Sequence, residues 1–254
     1  MIDSHCHLNL DPLTLDVAGA LERAAAAGVG RVVVPGVDIE SSEEGIRLAG
    51  LHDTVFAAVG VHPCHSWEAG TEEALIGLLE RNPMIRAVGE IGLDYFHLAD
   101  SPEKVAQEAN FRTQILLAQR FAKPIIIHCR EAFADTYAIL TEMAAGYPVV
   151  IHCCTATADE AEQWLALGYH LSFTGIITYP KNADLRAVTA ATPWERMLLE
   201  TDAPYLAPQK FRGHSCEPAF VAEVAACIAE ARGCSLEDVD RRTTAATEKF
   251  FHLK

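Results

Sequence analysis

No run of apolar residues in this 254-residue chain approaches the roughly 20 needed to cross a bilayer. The opening residues, Met1-Ile2-Asp3-Ser4-His5, lack the basic and then apolar segments of a secretory leader, so no membrane attachment and a cytoplasmic location are expected. Positive charge is scarce: 20 Lys and Arg face 35 Asp and Glu, for a formal charge of −15. That balance argues against wrapping duplex DNA on a basic face. It leaves open an anionic substrate at a site whose charge comes from metal ions. No C-x-x-C occurs among the eight cysteines, at 6, 64, 129, 153, 154, 216, 227 and 234. A chain this long does not need disulfide staples, and these read as reduced thiols. No linker, low-complexity stretch or charge block divides the sequence, so residues 1–254 are expected to form one domain.

Half the residues are hydrophobic and 22% are charged, enough for a sizeable core. Apolar runs of strand length fall at 2–7, 31–35, 55–61, 85–91, 124–128, 149–153, 170–173 and 196–200. Runs such as Val32-Val33-Val34 and Ile125-Ile126-Ile127 suit strands buried on both faces, as in a parallel sheet covered by helices. Helical patterns separate them. Ser41 with Glu44 and Thr157 with Glu160 have capping-box spacing, and Ser101-Pro102 predicts the start of a long helix to about Ala122. Gly28 and Gly168 sit where C-terminal caps belong, and Ser235 with Asp238 predicts one further helix near the C-terminus. Eight strand–helix units predict an α/β fold, a (β/α)₈ TIM barrel with an extra C-terminal helix.

The informative pattern is where His and acidic residues stand. His5 and His7 close the first predicted strand, Glu90 stands in the fourth, His128 ends the fifth, His152 ends the sixth and Asp202 follows the eighth. Eleven His in 254 positions give roughly half an H-x-H by chance, so one match decides nothing. Joint placement at C-terminal strand ends, where such barrels keep their chemistry, carries the weight. His5 and His7 are two apart and share a face. The same alternation turns Cys6, Cys129 and Cys153 toward the helix layer as packing residues.

Six potential ligands exceed the needs of one tetrahedral ion and suit two divalent cations sharing a carboxylate. The expected division gives His5, His7, Glu90 and Asp202 to one ion, and Glu90, His128 and His152 to the other. Two carboxylates against two divalent ions leave a local charge of about +2, which attracts phosphate despite the acidic whole. A metal lowers the pKa of bound water from roughly 15.7 to about 7, so a metal-activated hydroxide serves as nucleophile, with Asp202 placed to handle the proton. Glu90 and Asp202 are the expected catalytic residues. Imidazoles favour Zn, Mn, Fe or Ni over Mg.

At these residues the chain resembles the TatD-type metal-dependent hydrolases, the TatD deoxyribonucleases. The matching pieces are Asp3-Ser4-His5-Cys6-His7, Gly60-Val61-His62-Pro63, Gly89-Glu90-Ile91-Gly92-Leu93-Asp94-Tyr95, Ile127-His128-Cys129-Arg130, Ile151-His152-Cys153, Leu198-Leu199-Glu200-Thr201-Asp202-Ala203-Pro204-Tyr205-Leu206, and Arg212-Gly213 with Glu217-Pro218. The resemblance implies a TIM barrel, a binuclear metal centre and hydrolysis, commonly of DNA phosphodiesters, with His5, His7, Glu90, His128, His152 and Asp202 as ligands. It also implies activity with Mg or Mn in many members, so the ion stays open among Zn, Mn, Mg and Ni. Two departures from the family pattern, Cys154-Thr155-Ala156 after His152-Cys153 and Cys216 before Glu217, fall where substrate is expected, with Cys154 facing the mouth.

His62, Arg130 and Arg212 are candidate substrate-binding residues. His62 can bond substrate or a nearby water, or cap a turn, and either arginine can clamp a phosphate bidentately. Asp94 can orient a ligand or fix its loop. The reading favoured is a phosphodiesterase or deoxyribonuclease acting on DNA ends or single strands. A binuclear hydrolase of amides, esters or lactones is the second reading. There a carboxylated lysine often bridges the metals, but the nearest lysines here are Lys104 and Lys123. An inactive metal-binding interaction protein is the third.

Overall fold

The computed structural model describes residues 1–96, 98 and 102–253, the side chain of Pro102 excepted. Eight strands run in chain order around one sheet: β1 (Ile2–Asp3), β2 (Arg31–Val34), β3 (Val55–Val59), β4 (Ile85–Asp94), β5 (Ile125–Arg130), β6 (Val149–Ile151), β7 (His170–Phe173) and β8 (Met197–Leu199). Each pairs in parallel with the next. Helices follow them on the outside: α1 (Val17–Ala26), α2 (Ile39–Leu51), α3 (Thr71–Arg81), α4 (Pro102–Arg120), α5 (Phe133–Met143), α6 (Ala158–Ala166), α7 (Ala183–Ala191) and α8 (Val221–Arg232), with α9 (Leu236–Phe251) as the extra C-terminal helix. This is the expected TIM barrel.

Alternation along the strands separates two layers of packing. Ile125 and Ile127 of β5 face the helices, where Phe111, Ile115, Leu140 and Trp164 meet them. Ile126 points inward and joins Val33, Ala58, Val150 and Leu198 with Phe250 and Phe251 of α9. His128 and His152 lie two residues beyond Ile126 and Val150, on the same inward face. The C-terminal helix therefore closes the end of the barrel opposite those histidines.

Two local expectations are corrected. The first strand pairs regularly only over Ile2–Asp3, not to His7. Beyond it the chain turns to sew the seam to β8: the Ser4 amide donates to the Leu199 carbonyl at 2.8 Å, Asp202 to His5 at 2.9 Å and His7 to Ala203 at 2.7 Å, and Cys6 forms a parallel bridge with Ala203. The second helix is capped by Asp38, whose carboxylate accepts the Ser41 amide, while Ser41 occupies the third helical position. The Ser41–Glu44 box is displaced because an acceptor three residues earlier takes that role. Thr157 with Glu160 forms the predicted box on α6, Ser235 caps α9, and Gly28 and Gly168 adopt φ of 83° and 82° just past their helices. The Ser101 cap and His97 lie outside the described residues.

Candidate metal centre

Glu90 reaches the barrel interior through an irregularity. Ala87 packs inward and Val88 outward, so strict alternation would send Glu90 out to the helices. The pairing of β4 with β5 slips between Val88 and Ile91, which turns Glu90 inward and Ile91 outward, the re-aiming that a bulge performs. The Glu90 amide donates to the Gly36 carbonyl at 2.8 Å. Two residues on, Gly92 has φ of +144°, and a Cβ there would stand 1.9 Å from the His128 carbonyl oxygen. Only glycine lets β4 approach His128 so closely.

The carboxylate of Glu90 faces a different set of nitrogens with each oxygen. Its Oε2 lies 3.3 Å from His5 Nε2 and 3.6 Å from His7 Nε2. Asp202 Oδ1 completes that side, 3.7 Å from His5 Nε2 and 3.5 Å from His7 Nε2. Its Oε1 lies 2.8 Å from His128 Nδ1, 3.1 Å from His152 Nε2 and 3.6 Å from His62 Nε2. The His5 and His152 rings stack with centroids 3.7 Å apart, joining the two sides. All six residues proposed from the sequence are brought together, and His62 joins them.

Behind this layer stand three carboxylates, two of which sequence reasoning gave no role. Glu200 accepts from His152 Nδ1 at 2.9 Å and from the Cys153 amide. Asp94 pairs with His128 Nε2 at 3.0 Å, so it orients an imidazole, and its loop is braced by Gln107 and the Phe96 amide. Asp3 accepts the Thr201 hydroxyl at 2.6 Å and amide at 3.0 Å, and the His5 amide at 3.3 Å, tying the first strand to the last. Asp3 and Glu200 stand two residues before His5 and Asp202, and that i, i+2 spacing was the available signal. Glu200 and Asp94, set on ring nitrogens, fix the tautomer and orientation of their imidazoles.

The electrostatics follow from burial set against these partners. Burial alone would raise the Glu90 pKa, but the fields of His152, His62 and His5 and the His128 hydrogen bond hold it well below the usual carboxylate range. Asp202 is lowered in the same way, burial being outweighed by the His7 hydrogen bond and the field of His152. Asp94 is brought to about 2, mainly by His128 working against burial. Burial depresses His5, assisted by His152, and depresses His62 to about 3. His152 moves the other way: Glu90 and Glu200 overcome burial and raise it well above the ordinary value.

Ligand atoms of His5, Glu90 and His152, of His5, His7 and Asp202, and of His62, Glu90 and His128 each lie within 4.8 Å of one another. His5 and His7 bring their Nε2 atoms within 3.2 Å, while their buried Nδ1 atoms have no hydrogen-bond partner among the described residues. Imidazole nitrogens and carboxylate oxygens converging this closely repel unless protons or cations lie among them. The donor set suits divalent ions that accept nitrogen and oxygen together.

A cavity of about 460 Å³ opens over this cluster, lined by His128, His152, Asp202, Arg130, Cys153 and Tyr205 among others. Arg130 is exposed and stacks on Phe96, 3.5 Å from the ring centroid. Arg212 instead lies over Tyr179, 5.3 Å from its centroid, outside the residues lining the cavity. The expected orientations of two cysteines are reversed. Cys153 adopts φ of 43°, which breaks the alternation and turns it to the cavity, whereas Cys154 is buried in the outer core. Cys216 is also buried, packed with Cys6 and Leu8, and Glu217 pairs with Arg23 at 2.6 Å. Neither Cys154 nor Cys216 lines this cavity over the cluster, although Cys154 lines an adjoining one.

Residues 2–252 match the family model described as TatD related DNase. The uncharacterized metal-dependent hydrolase YabD of Bacillus subtilis is 35% identical over 255 residues, covering 100% of this chain and 99% of the relative. The 3'-5' ssDNA/RNA exonuclease TatD of Edwardsiella piscicida is 36% identical over 234 residues, covering 89% of each. The crystal structure of YjjV, a TatD homologue of Escherichia coli K12, superposes with a TM-score of 0.94 at 32% identity, covering 100% of this chain and 98% of that one.

Proposed function

The chain belongs to the TatD-related DNase family and is a metal-dependent hydrolase, and from that premise we propose that it cleaves phosphodiesters at the ends of single-stranded DNA or RNA. The observation that carries this reading is the division of the Glu90 carboxylate between two nitrogen clusters beneath an open cavity. In this reading His5, His7, Asp202 and Glu90 hold one divalent cation, and Glu90, His128 and His152 hold a second. When bound, such a pair supplies Lewis-acid charge for the phosphoryl oxygens and lowers the pKa of a water to near neutrality.

The chain's own residues do the rest. Glu90 and Asp202 keep their charge at neutral pH because surrounding imidazoles hold their pKa values down. Asp202, facing the cavity, accepts the proton of the attacking water. Arg130 stands at the rim with its guanidinium supported by Phe96 and pairs with a non-reacting phosphate oxygen. His62, kept neutral by burial, offers a hydrogen bond to the scissile group. A cavity of about 460 Å³ is the size of a small-ligand pocket, which suits a strand end and excludes an intact duplex. The exonuclease named among the relatives supports the same substrate class.

The test is metal analysis combined with hydrolysis of end-labelled single strands, blunt duplex and a lactone panel. The expected result is about two divalent ions per chain and cleavage of single strands from the end. Glu90→Gln is expected to lose metal and at least about 100-fold in kcat/KM, the upper range for residues that merely orient a ligand. Cleavage of lactones but not of diesters would move the substrate assignment, and full activity in Glu90→Gln would remove the site.

A further inference from the structure

A second cavity of about 380 Å³ adjoins the first and shares Cys129, Cys153 and Thr155 with it. These thiols directly follow His128 and His152, so the second cavity begins one residue from the metal centre. Its floor is aromatic, with Phe133 and the buried Trp164 packed edge to face at 5.0 Å. Its charged groups are two carboxylates, Glu131 and Glu160, with Thr155 as a further polar residue. Glu160 is held by its capping box, where one oxygen, Oε2, takes both the Thr157 amide and hydroxyl at 2.8 and 2.9 Å. Its other oxygen accepts no hydrogen bond among the described residues. Glu131, exposed at a left-handed φ of 53°, makes no ion pair among them.

The chemistry of this wall is selective. The thiols of Cys129 and Cys153 give this wall polarizable surfaces suited to the face of a ring. Among the described residues no cationic side chain lines the cavity, which makes it a poor phosphate site. Carboxylate oxygens beside an aromatic floor instead match a flat heterocycle whose edge carries N–H donors.

We propose that this side cavity receives the terminal nucleobase of the strand, packed against Cys129, Cys153 and Phe133, with Glu131 and Glu160 accepting from an exocyclic amino group. The proposal rests on the phosphodiesterase reading and adds a preference to it. Bases with an exocyclic amino group (cytosine, adenine, guanine) are favoured over thymine, whose carbonyl oxygen stands where cytosine carries its amino group. A carboxylate accepting from cytosine N4 discriminates by roughly ten-fold.

The experiment compares kcat/KM for two single-stranded oligonucleotides that differ only in a terminal dC or dT, with bis(p-nitrophenyl) phosphate, a diester without a base, assayed in parallel. The wild-type protein is expected to favour the dC end by about ten-fold. Glu131→Gln, which introduces an amide donor, is expected to reduce that ratio to about three-fold or less. Ala156→Leu, which fills the side cavity, is expected to lower the ratio of oligonucleotide to base-free diester activity by about ten-fold. A dC to dT ratio near one in the wild type, an unchanged ratio in Glu131→Gln, or an unchanged oligonucleotide to diester ratio in Ala156→Leu would overturn the pocket while leaving phosphodiester cleavage intact. Failure of the metal-loaded protein to cleave either class of diester would overturn the underlying reading and the pocket with it.

Discussion

On the Oε2 side of Glu90, His5 and His7 stand on the irregular segment after β1, and their buried Nδ1 atoms have no hydrogen-bond partner among the described residues. On the Oε1 side, His152 and His128 each have a carboxylate at the far ring nitrogen, Glu200 at 2.9 Å and Asp94 at 3.0 Å. Backbone sewing aims the first pair, through the amide bonds of Asp202 and His7 across the seam. Side-chain hydrogen bonds aim the second. A carboxylate behind an imidazole raises its basicity and fixes its tautomer, so the two halves are expected to hold their cations with different affinity and different dependence on pH.

The sharpest break of this comparison is a lesion confined to one half. Asp202→Asn is expected to lower kcat/KM by about 100-fold or more, because the proposed proton acceptor and one anionic ligand disappear together. Metal content should fall from about two equivalents to about one, with the Oε1 side still loaded. Loss of both equivalents in that variant would show that the halves are not separable.

A smaller effect is expected behind the Oε1 imidazoles. Glu200→Gln and Asp94→Asn should each weaken the cation on that side by about 10- to 100-fold, read by competition with a chelator. The Oε2 cation should keep its affinity. Equal weakening on both sides would dissolve the contrast between side-chain and backbone support.

The smallest effect is on the stability of the chelator-treated protein against pH. His152 is raised well above its ordinary value, so its contribution is fully present below the unfolded value near 6.5 and is lost as pH rises through the folded value. Asp94 is lowered to about 2, so its contribution is present above the unfolded value near 3.9 and is lost as pH falls toward 2. As pH rises above about 6.5 the melting temperature of the wild type should therefore fall relative to that of His152→Gln. An unchanged slope in His152→Gln would assign the pH dependence to other groups.

Much of the arrangement was legible before any coordinates. Continuous apolar runs such as Val32-Val33-Val34 announce buried parallel strands, and the imidazoles and acids of the cluster fall at their ends. What the sequence hid has physical reasons. Alternation assumes regular pairing, and it fails at Glu90, where β4 slips, and at Cys153, where a left-handed backbone reverses the order of two neighbouring thiols. Position in the loop after Asp202 makes Arg212 a phosphate-clamp candidate, and the structure rests it on Tyr179, while Cys216, a departure at a position expected near substrate, packs with Cys6. Asp3 and Glu200 went unassigned because a supporting carboxylate differs from an ordinary one only in what lies behind it.

The seam between β1 and β8 has one more consequence. His5 and His7 are made at the start of the chain and Asp202 nearly two hundred residues later, and the same contacts that close the hoop bring them side by side. A growing polypeptide that has not yet extruded Asp202 lacks both the clasp and one of the groups at the proposed reactive centre. Ring closure and the onset of cleaving power thus arrive together, late in synthesis, so a half-made chain carries no complete blade.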